Sequence, residues 1–330
     1  VFDGGRLVPG RMAKIIFTDD DRREAFEQLL HPLVLEKMYA AVARAHREGK
    51  KLFVAESAII FEKNLQSLFD ITLIVTCDDG TRRRWLKENR GFTDEDVDMR
   101  AAVQMPEGEK AGQADYLIHN GGTLEALDRE VAALRRSLLA LPEMRWSDTT
   151  HRMLLWRHAD TTRSFYTWRY VEHTLKMLDE VRHLAKNPAA IEWALKFQHA
   201  HFLPSVINNR EMSATLAREW LDDDIIDEVE RLILVMNSCD PVEGDIDAEI
   251  ISDCELSILA AIPAVFTNLV GLLKKQYEHG PFEDFGKILT AFFRRLLRSG
   301  RIFRTDHFHT RLEHQTRENL EHALQRLTSE

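Results

Sequence analysis

The hydrophobic pattern of this chain changes near residue 142, and the change restricts the folds open to it. Before that point, apolar runs rich in Val and Ile alternate with helical periodicity, as at residues 51–62 (KLFVAESAIIFE), 70–77 (DITLIVTC) and 113–122 (QADYLIHNGG). Such alternation is typical of strand–helix–strand units on a parallel sheet. After residue 145 the apolar spacing is helical almost throughout. The sequence therefore predicts an α/β domain over residues 1–141 and an all-α domain over residues 142–330.

Helices are predicted in both parts. In the first part they cover residues 22–50, interrupted near Pro32, and residues 122–141, which end at Leu141-Pro142 because a residue before proline avoids helical geometry. In the all-α part, the spacing of the apolar residues predicts eight helices, separated by breakers such as Asn187-Pro188 and Gly280-Pro281. They lie at residues 166–184, 189–198, 213–221, 225–236, 247–259, 266–279, 282–297 and 312–327.

The composition excludes several classes of protein. A net charge of −10 over 330 residues argues against general nucleic-acid binding, since no basic field would neutralise phosphates. Three cysteines in no paired spacing favour reduced thiols in a cytoplasmic protein and fit neither a disulfide framework nor a zinc site. No apolar run approaches the ~20 residues of a membrane span. We expect a protein that acts on small molecules; the oligomeric state is not predicted.

Short motifs in residues 1–140 carry a family resemblance. They are residues 11–17 (RMAKIIF) with Asp19, residues 29–32 (LLHP), residues 58–62 (AIIFE), the arginine-rich residues 82–104, Lys110, residues 114–115 (AD) and residues 120–121 (NG). In this order they resemble the later part of dephospho-coenzyme A kinase, although the family usually begins the third motif with proline. The resemblance implies an incomplete P-loop kinase-type parallel sheet with helices and a lid. It also implies ATP and Mg²⁺, and transfer of the γ-phosphate to the 3′-hydroxyl of dephospho-CoA.

The resemblance assigns catalytic roles to arginines of the lid. Phosphoryl transfer needs cations aimed at the charge that spreads over the transferred phosphate, and a closing lid can deliver planar guanidinium groups. Arg84, Arg90 and Arg100 are the candidates, the first two fitting the family register within one residue. The alternative for each is a solvated helix face.

Other residues are expected to bind the two substrates. Asn120 and Gly121 follow a strand, at the edge where open α/β sheets bind ligands, and with Gln104 they are assigned to the nucleotide. Glu62 and His31 are assigned to the acceptor substrate. Asn120 could instead be a turn residue, and Glu62 a helix cap.

No G-x-x-x-x-G-K-[ST] motif occurs in the 330 residues, which begin with Val1. We therefore expect a piece of a longer enzyme, inactive by itself because the phosphate-binding loop lies upstream. Such a kinase part, lacking central strands, is also expected to fold poorly alone. The alternative is a non-catalytic protein that binds a nucleotide or a CoA-like molecule.

The helical part resembles the HD superfamily of metal-dependent phosphohydrolases. The resemblance rests on residues 163–179, 193–202, 209–221 and 252–259. The family's ligand positions hold Tyr170 and Gln198-His199 here, so no metal site is assigned, and only His199 and Asp253 remain as candidate ligands. The open alternatives are a phosphohydrolase with an altered ligand set, or a ligand-binding or dimerising helical module.

Overall fold

The structure is a computed structural model that describes residues 2–3, 6–16, 18–141, 145–159, 163–203, 206–238, 241–278 and 285–327. It divides into two compact units, Val1–Thr149 and Thr150–Glu330. Pro142, where we predict the domain division, lies outside the described residues, so that division stays a prediction.

The first unit contains four short strands and six helices within the described residues. The strands are β1 (Phe2–Asp3), β2 (Arg6–Leu7), β3 (Leu73–Thr76) and β4 (Tyr116–His119). The helices are α1 (Pro9–Ile16), α2 (Asp20–Arg47), α3 (Asp79–Arg90), α4 (Asp94–Ala102), α5 (Glu107–Ala111) and α6 (Leu124–Leu139), with a 3₁₀ turn at Gln66–Leu68.

Two of these strands form a parallel sheet. β3 pairs with β4 from Leu73↔Tyr116 to Thr76↔His119, as predicted for both apolar runs. Just before the strands, the Asp115 carboxylate accepts hydrogen bonds from the backbone N–H and the hydroxyl of Thr72, at 2.7 and 2.8 Å. This contact fixes the register, and it brings the carboxyl ends of both strands to one edge.

The strand predicted over residues 51–62 is wrong. Residues 52–57 have no regular structure, and residues 58–64 form turns closed by hydrogen bonds such as Leu65 N to Ile60 O at 2.8 Å. The side chains of Leu52, Phe53 and Val54 are 44, 39 and 75% exposed. A strand needs a neighbour to take up its backbone N–H and C=O groups. No described strand pairs with this segment, so its apolar composition alone does not make it a strand.

The predicted interruption at Pro32 is also wrong. α2 runs through Pro32, from an N-cap at Asp19, whose carboxylate accepts from Arg22 N at 3.0 Å, to Glu48. Proline removes one helical hydrogen bond and crowds the preceding turn, at about 3 kcal/mol. The 28 residues of the helix tolerate one such defect because buried side chains, Leu35, Tyr39 and Ala43, anchor its later turns.

The second unit is helical throughout its described part. Its helices are α8 (Trp168–Val181), α9 (Pro188–Phe197), α10 (Asn209–Trp220), α11 (Asp223–Val235), α12 (Ile246–Leu256), α13 (Pro263–Gln276), α14 (Phe285–Arg298) and α15 (Asp306–Leu327). These confirm the eight predicted helices, although residues 279 and 282–284 of the predicted spans lie outside the described residues. The pattern did not predict α7 (Trp146–His158), because its apolar residues run consecutively from Met153 to Trp156 instead of forming one stripe.

Buried carboxylates hold the loops of this unit. Asp253 on α12 accepts from Arg304 N, Thr305 N and the Thr305 hydroxyl at 2.7–2.8 Å. Glu313 on α15 accepts from the backbone of Ile302 and Phe303 at 3.0–3.2 Å. Since buried backbone N–H groups need partners, these two side chains fix the loop between α14 and α15.

In the described part of the chain, no single helix is both long and apolar enough to cross a membrane. Ile246–Ala260 and Pro263–Gln276 reach that length and composition only as a pair, with a bend of 109° between them.

Candidate functional site

Three predicted elements of a nucleotide site meet at the carboxyl edge of the sheet. Asn120 follows β4 directly and donates its backbone N–H to Thr76 O, the last residue of β3, at 2.7 Å. The Thr76 hydroxyl lies 3.2 Å from His119 Nδ1. α3 begins just after β3, with Asp78 as its N-cap. The loop after β4 and the start of the arginine-rich helix are therefore held side by side, where parallel sheets bind ligands.

Gly121 has a steric reason to be glycine. A Cβ at this position would lie 2.5 Å from His119 Nε2. The exposed His119 ring, which lies 3.2 Å from the Thr76 hydroxyl, would have to move to make room. Gly121 therefore keeps the loop after β4 close against the strand end, which is a positioning role for the residue assigned to the nucleotide.

The predicted lid is a pair of helices joined by ion pairs. Gly91, in left-handed geometry at φ +66°, ends α3, and a capping box on Thr93 starts α4. Arg83 pairs with Asp79 and Asp98, both at 2.7 Å, and Lys87 pairs with Asp94 at 2.8 Å. The hydrogen bonds from Arg83 lower the pKa of Asp79. The pairs to Asp98 and Asp94 hold α3 against α4.

The three arginines assigned to catalysis differ in their surroundings. Arg84 and Arg90 are exposed, and neither makes an ion pair or hydrogen bond with any residue that the structure describes. Arg100 lies with its guanidinium 4.1 Å from the centre of the Phe92 ring and donates to Asp96 O at 2.8 Å. Arg84 and Arg90 thus have donors available for a ligand, whereas Arg100 also supports the lid. Gln104 is exposed two residues beyond α4.

Glu62, assigned to the acceptor substrate, makes a protein contact instead. It forms a salt bridge with Lys110, and the two side chains are only 14 and 13% exposed. The same Glu62 Oε1 accepts from Met105 N at 3.2 Å. The pair connects the turn after residue 58 to α5, which packs on β3. Its geometry supports a structural role for Glu62 and Lys110, both of which the sequence pattern singles out.

His31 lies in a cavity of about 290 Å³ beside α2. Glu56 and Lys37 reach the same cavity, and the remaining lining is mostly apolar, with Phe53 and Phe69 among it. Burial lowers the pKa of His31, partly opposed by the carboxylate of Glu27. A neutral imidazole beside a carboxylate can accept or donate one hydrogen bond to a polar group within an apolar wall.

The structure thus brings His31 and Glu56 together in one cavity. It brings Asn120, Gly121 and the start of α3 together at the carboxyl edge of the sheet. The apolar wall of the His31 cavity is the part that sequence reasoning missed. Phe53 was assigned to a strand, and no signal distinguishes an apolar strand from an apolar wall when the segment has no partner.

The metal candidates of the second unit do not converge. Both carboxylate oxygens of Asp253 accept hydrogen bonds from the loop before α15, and burial raises the pKa of Asp253 to about 6. His199 instead stacks on Tyr166 at 3.7 Å, with its Nε2 3.5 Å from Glu255. Within the described residues there is no group of three His, Cys, Asp or Glu side chains that could hold a metal ion.

The first part of the chain matches a known protein family. The family model described as Dephospho-CoA kinase matches residues 1–126. The dephospho-CoA kinase of Geobacillus kaustophilus is 34% identical over 137 residues, which are 42% of this chain and 68% of the relative. For the Listeria monocytogenes enzyme the identity is 34% over 127 residues, 38 and 64% of the two chains. The Chlorobaculum tepidum enzyme is 33% identical over 141 residues, 42 and 67% of the two chains.

The chain therefore spans about two thirds of the length of these relatives. No solved structure matches it. Because the family model ends at residue 126, the resemblance of the helical part to the HD superfamily stays a hypothesis.

Proposed function

Because the chain belongs to the dephospho-CoA kinase family through residues 1–126, we propose that its first unit supplies the acceptor site and lid of a dephospho-CoA kinase. The reaction is transfer of the ATP γ-phosphate to the 3′-hydroxyl of dephospho-CoA. Family membership supports a kinase-type enzyme. The single observation that carries the rest is the contrast on α3, where Arg83 is tied to carboxylates and Arg84 and Arg90 are not.

Arg84 and Arg90 are suited to phosphate because no carboxylate among the described residues holds their guanidinium groups in a hydrogen bond or ion pair; Asp78 acts on Arg84 only through its charge. A guanidinium group presents several N–H donors in a plane and pairs with two phosphate oxygens at once. α3 starts at the carboxyl edge of the sheet, so a modest movement of the lid would carry these donors towards a phosphate chain held there. Asn120 and Gly121 would contact the same nucleotide from the loop after β4.

The His31 cavity is our candidate for the acceptor. Dephospho-CoA carries a slender arm with amide groups, and an apolar cavity with one imidazole and one carboxylate suits such a group. Glu62 is given no direct contact with the acceptor in this proposal, since its carboxylate is largely buried and its Oε1 forms the ion pair with Lys110. We instead assign Glu56 to the acceptor.

Mg²⁺ is implied by the family and would neutralise charge on the transferred phosphate. The described residues offer no cluster of carboxylates or imidazoles to hold it, so we assign no residue to the ion and derive no step through it.

Two measurements test the proposal. First, titration calorimetry of the 330-residue chain with dephospho-CoA is expected to show binding that His31→Ala or Glu56→Gln weakens by roughly 2- to 10-fold, the value of one hydrogen bond. Glu48→Gln, at the exposed end of α2, is the matched control and is expected to bind like the unmodified chain.

Second, production of CoA from ATP and dephospho-CoA is compared between this chain and the longest open reading frame that contains it in frame. We expect turnover only if that frame includes G-x-x-x-x-G-K-[ST], and we expect Arg84→Gln and Arg90→Gln to reduce it. Binding without turnover in both proteins would favour the non-catalytic alternative. If the protein showed no binding of dephospho-CoA and no turnover, the proposal would be wrong.

A further inference from the structure

We propose that the groove between α13 and α15 in the helical unit binds an amphipathic anion, a molecule with an apolar body and a carboxylate or phosphate head. The groove has a volume of about 470 Å³ and is formed by one face of each helix. That volume is within the range of small-molecule sites. The inference concerns residues beyond the kinase-like unit, so it stands or falls independently of the proposed function.

The lining of the groove separates an apolar floor from basic side chains. Phe266 and Ala323 are buried, and Val270 lies beside them. Lys274 and Arg326 line the same groove, and no Asp or Glu is among the described residues that do so. A lining with two basic side chains and no carboxylate favours an anionic head group over a cationic one.

Arg326 is held at the groove by a specific contact. Its Nη1 donates to the Thr267 hydroxyl at 3.3 Å, and that hydroxyl in turn donates to Pro263 O at 2.9 Å. A guanidinium group tied through a neutral hydroxyl keeps its full charge, because the tie does not neutralise it. The remaining N–H groups of Arg326 can pair with a carboxylate or phosphate head.

Gly271 is the second, independent observation. It lies in the middle of α13, where glycine is less favourable than alanine by about 1 kcal/mol. A Cβ built at Gly271 would meet nothing within 4 Å, so no contact inside the folded chain requires glycine there. Gly271 nevertheless lines the groove. Its missing side chain leaves room that a ligand body can fill.

The test is displacement of 1-anilinonaphthalene-8-sulfonate from the full 330-residue chain, followed by fluorescence below micellar concentrations. Dodecanoate and dodecyl phosphate are expected to displace the part of the bound probe that the groove variants described next also lose, and the tighter of the two identifies the head group. Dodecyltrimethylammonium is expected not to compete. Equal displacement by this cation would overturn the proposal, since charge would then play no part.

Variants locate the site. Lys274→Gln and Arg326→Gln are each expected to weaken the anion by about 2- to 5-fold, the range for an exposed charge pair. Gly271→Leu is expected to weaken it more than tenfold by occupying the groove. Lys275→Gln, adjacent in sequence but outside the lining, is the matched control. Unchanged affinity in all three groove variants would place the bound anion elsewhere and overturn the proposal.

Gly271→Ala separates a binding role from a structural one. We expect it to raise Tm by about 2–4 °C through helix propensity while it weakens the anion. A lowered Tm would show that the fold itself requires glycine, and the argument from the open space would fail.

Discussion

At the scale of single residues, the helical unit buries charge that is nearly self-compensated. Glu255 is 8% exposed and accepts from Arg210 at 2.7 Å, and this cation and the nearby His199 lower the pKa of Glu255 to about 2. Burial against the Tyr166 ring lowers the pKa of His199 to about 4. His199 Nε2 lies 3.5 Å from Glu255, and neither this nitrogen nor Glu255 Oε2 has a hydrogen-bond partner among the described residues.

The first prediction concerns pH. The folded state keeps His199 neutral down to about pH 4, whereas the unfolded chain takes up the proton near 6.5. Stability from this group is therefore complete above pH 6.5 and is lost as the pH falls towards 4, by about 1.4 kcal/mol per unit. Urea unfolding between pH 7 and 5 is expected to show a smaller loss in His199→Gln. His314→Gln, at an exposed histidine, is expected to follow the unmodified chain; equal slopes in all three would contradict the prediction.

The second prediction concerns Glu62 and Lys110. Removing one partner of a nearly buried ion pair leaves the other charge without compensation, which costs on the order of 3 kcal/mol. Glu62→Gln is expected to lower the free energy of unfolding of the first unit by that amount. The double variant Glu62→Gln, Lys110→Met is expected to recover part of the loss. If Glu62→Gln instead kept full stability and lost only dephospho-CoA binding, Glu62 would contact the substrate as the sequence suggested.

At the scale of elements, sequence reasoning located α2, α6, α8 to α15 and the strands β3 and β4, but not the contacts that decide each residue's role. The apolar spacing predicts α8 to α15 because each has a face to bury. It fails at residues 52–57, where composition favours a strand that lacks a pairing neighbour. It also cannot separate Arg83 from Arg84, since the difference arises from Asp98, 15 residues away. Arginine content indicates a lid, but only geometry shows which arginines have a carboxylate partner.

The third prediction uses that neighbouring pair. Arg83→Gln removes the ion pairs to Asp79 and Asp98, so it is expected to lower thermal stability of the lid and raise proteolysis between α3 and α4. Arg84→Gln breaks no hydrogen bond or ion pair among the described residues, so it is expected to leave lid stability and proteolysis unchanged while weakening ATP or dephospho-CoA binding. Limited proteolysis of the two variants checks the stability of the lid, and calorimetry checks ligand binding. The reverse pattern would assign the phosphate contact to Arg83.

The fourth prediction concerns Pro32 in α2. Replacing it with alanine restores a helical hydrogen bond and removes a clash, which is worth up to about 3 kcal/mol. We expect Pro32→Ala to raise Tm. We also expect weaker binding of dephospho-CoA, because restoring the helical hydrogen bond would shift the backbone of the adjacent His31 relative to its cavity. If the variant were more stable and bound dephospho-CoA equally well, Pro32 would have no role in the binding site.

At the scale of the whole molecule, the two units differ in how completely they bury apolar surface. The second unit buries large side chains from most of its helices, among them Trp220, Phe197, Phe293 and Phe308. In the first unit the two-stranded sheet leaves Leu73, Val75 and Leu117 at 40, 56 and 53% exposure. Two strands rarely suffice for a stable sheet.

The fifth prediction follows from this difference. Residues 145–330, produced alone, are expected to fold to a helical protein with a cooperative thermal transition. Residues 1–141 alone are expected to associate or to bind hydrophobic dyes, because the faces of β3 and β4 lack cover. Circular dichroism and light scattering distinguish the two. A monomeric, cooperatively folding 1–141 would contradict the prediction.

The ion pairs between α3 and α4 also make the lid responsive to its medium. The side chains of Lys87, Asp94 and Asp98 are 46, 62 and 63% exposed, so dissolved ions reach these pairs freely. At physiological ionic strength, screening acts over about 8 Å, and at 1 M over about 3 Å. Added salt should therefore loosen α3 from α4 and compete for Arg84 and Arg90 together. The separation of α3 from α4 is therefore expected to increase with the salt concentration around the protein.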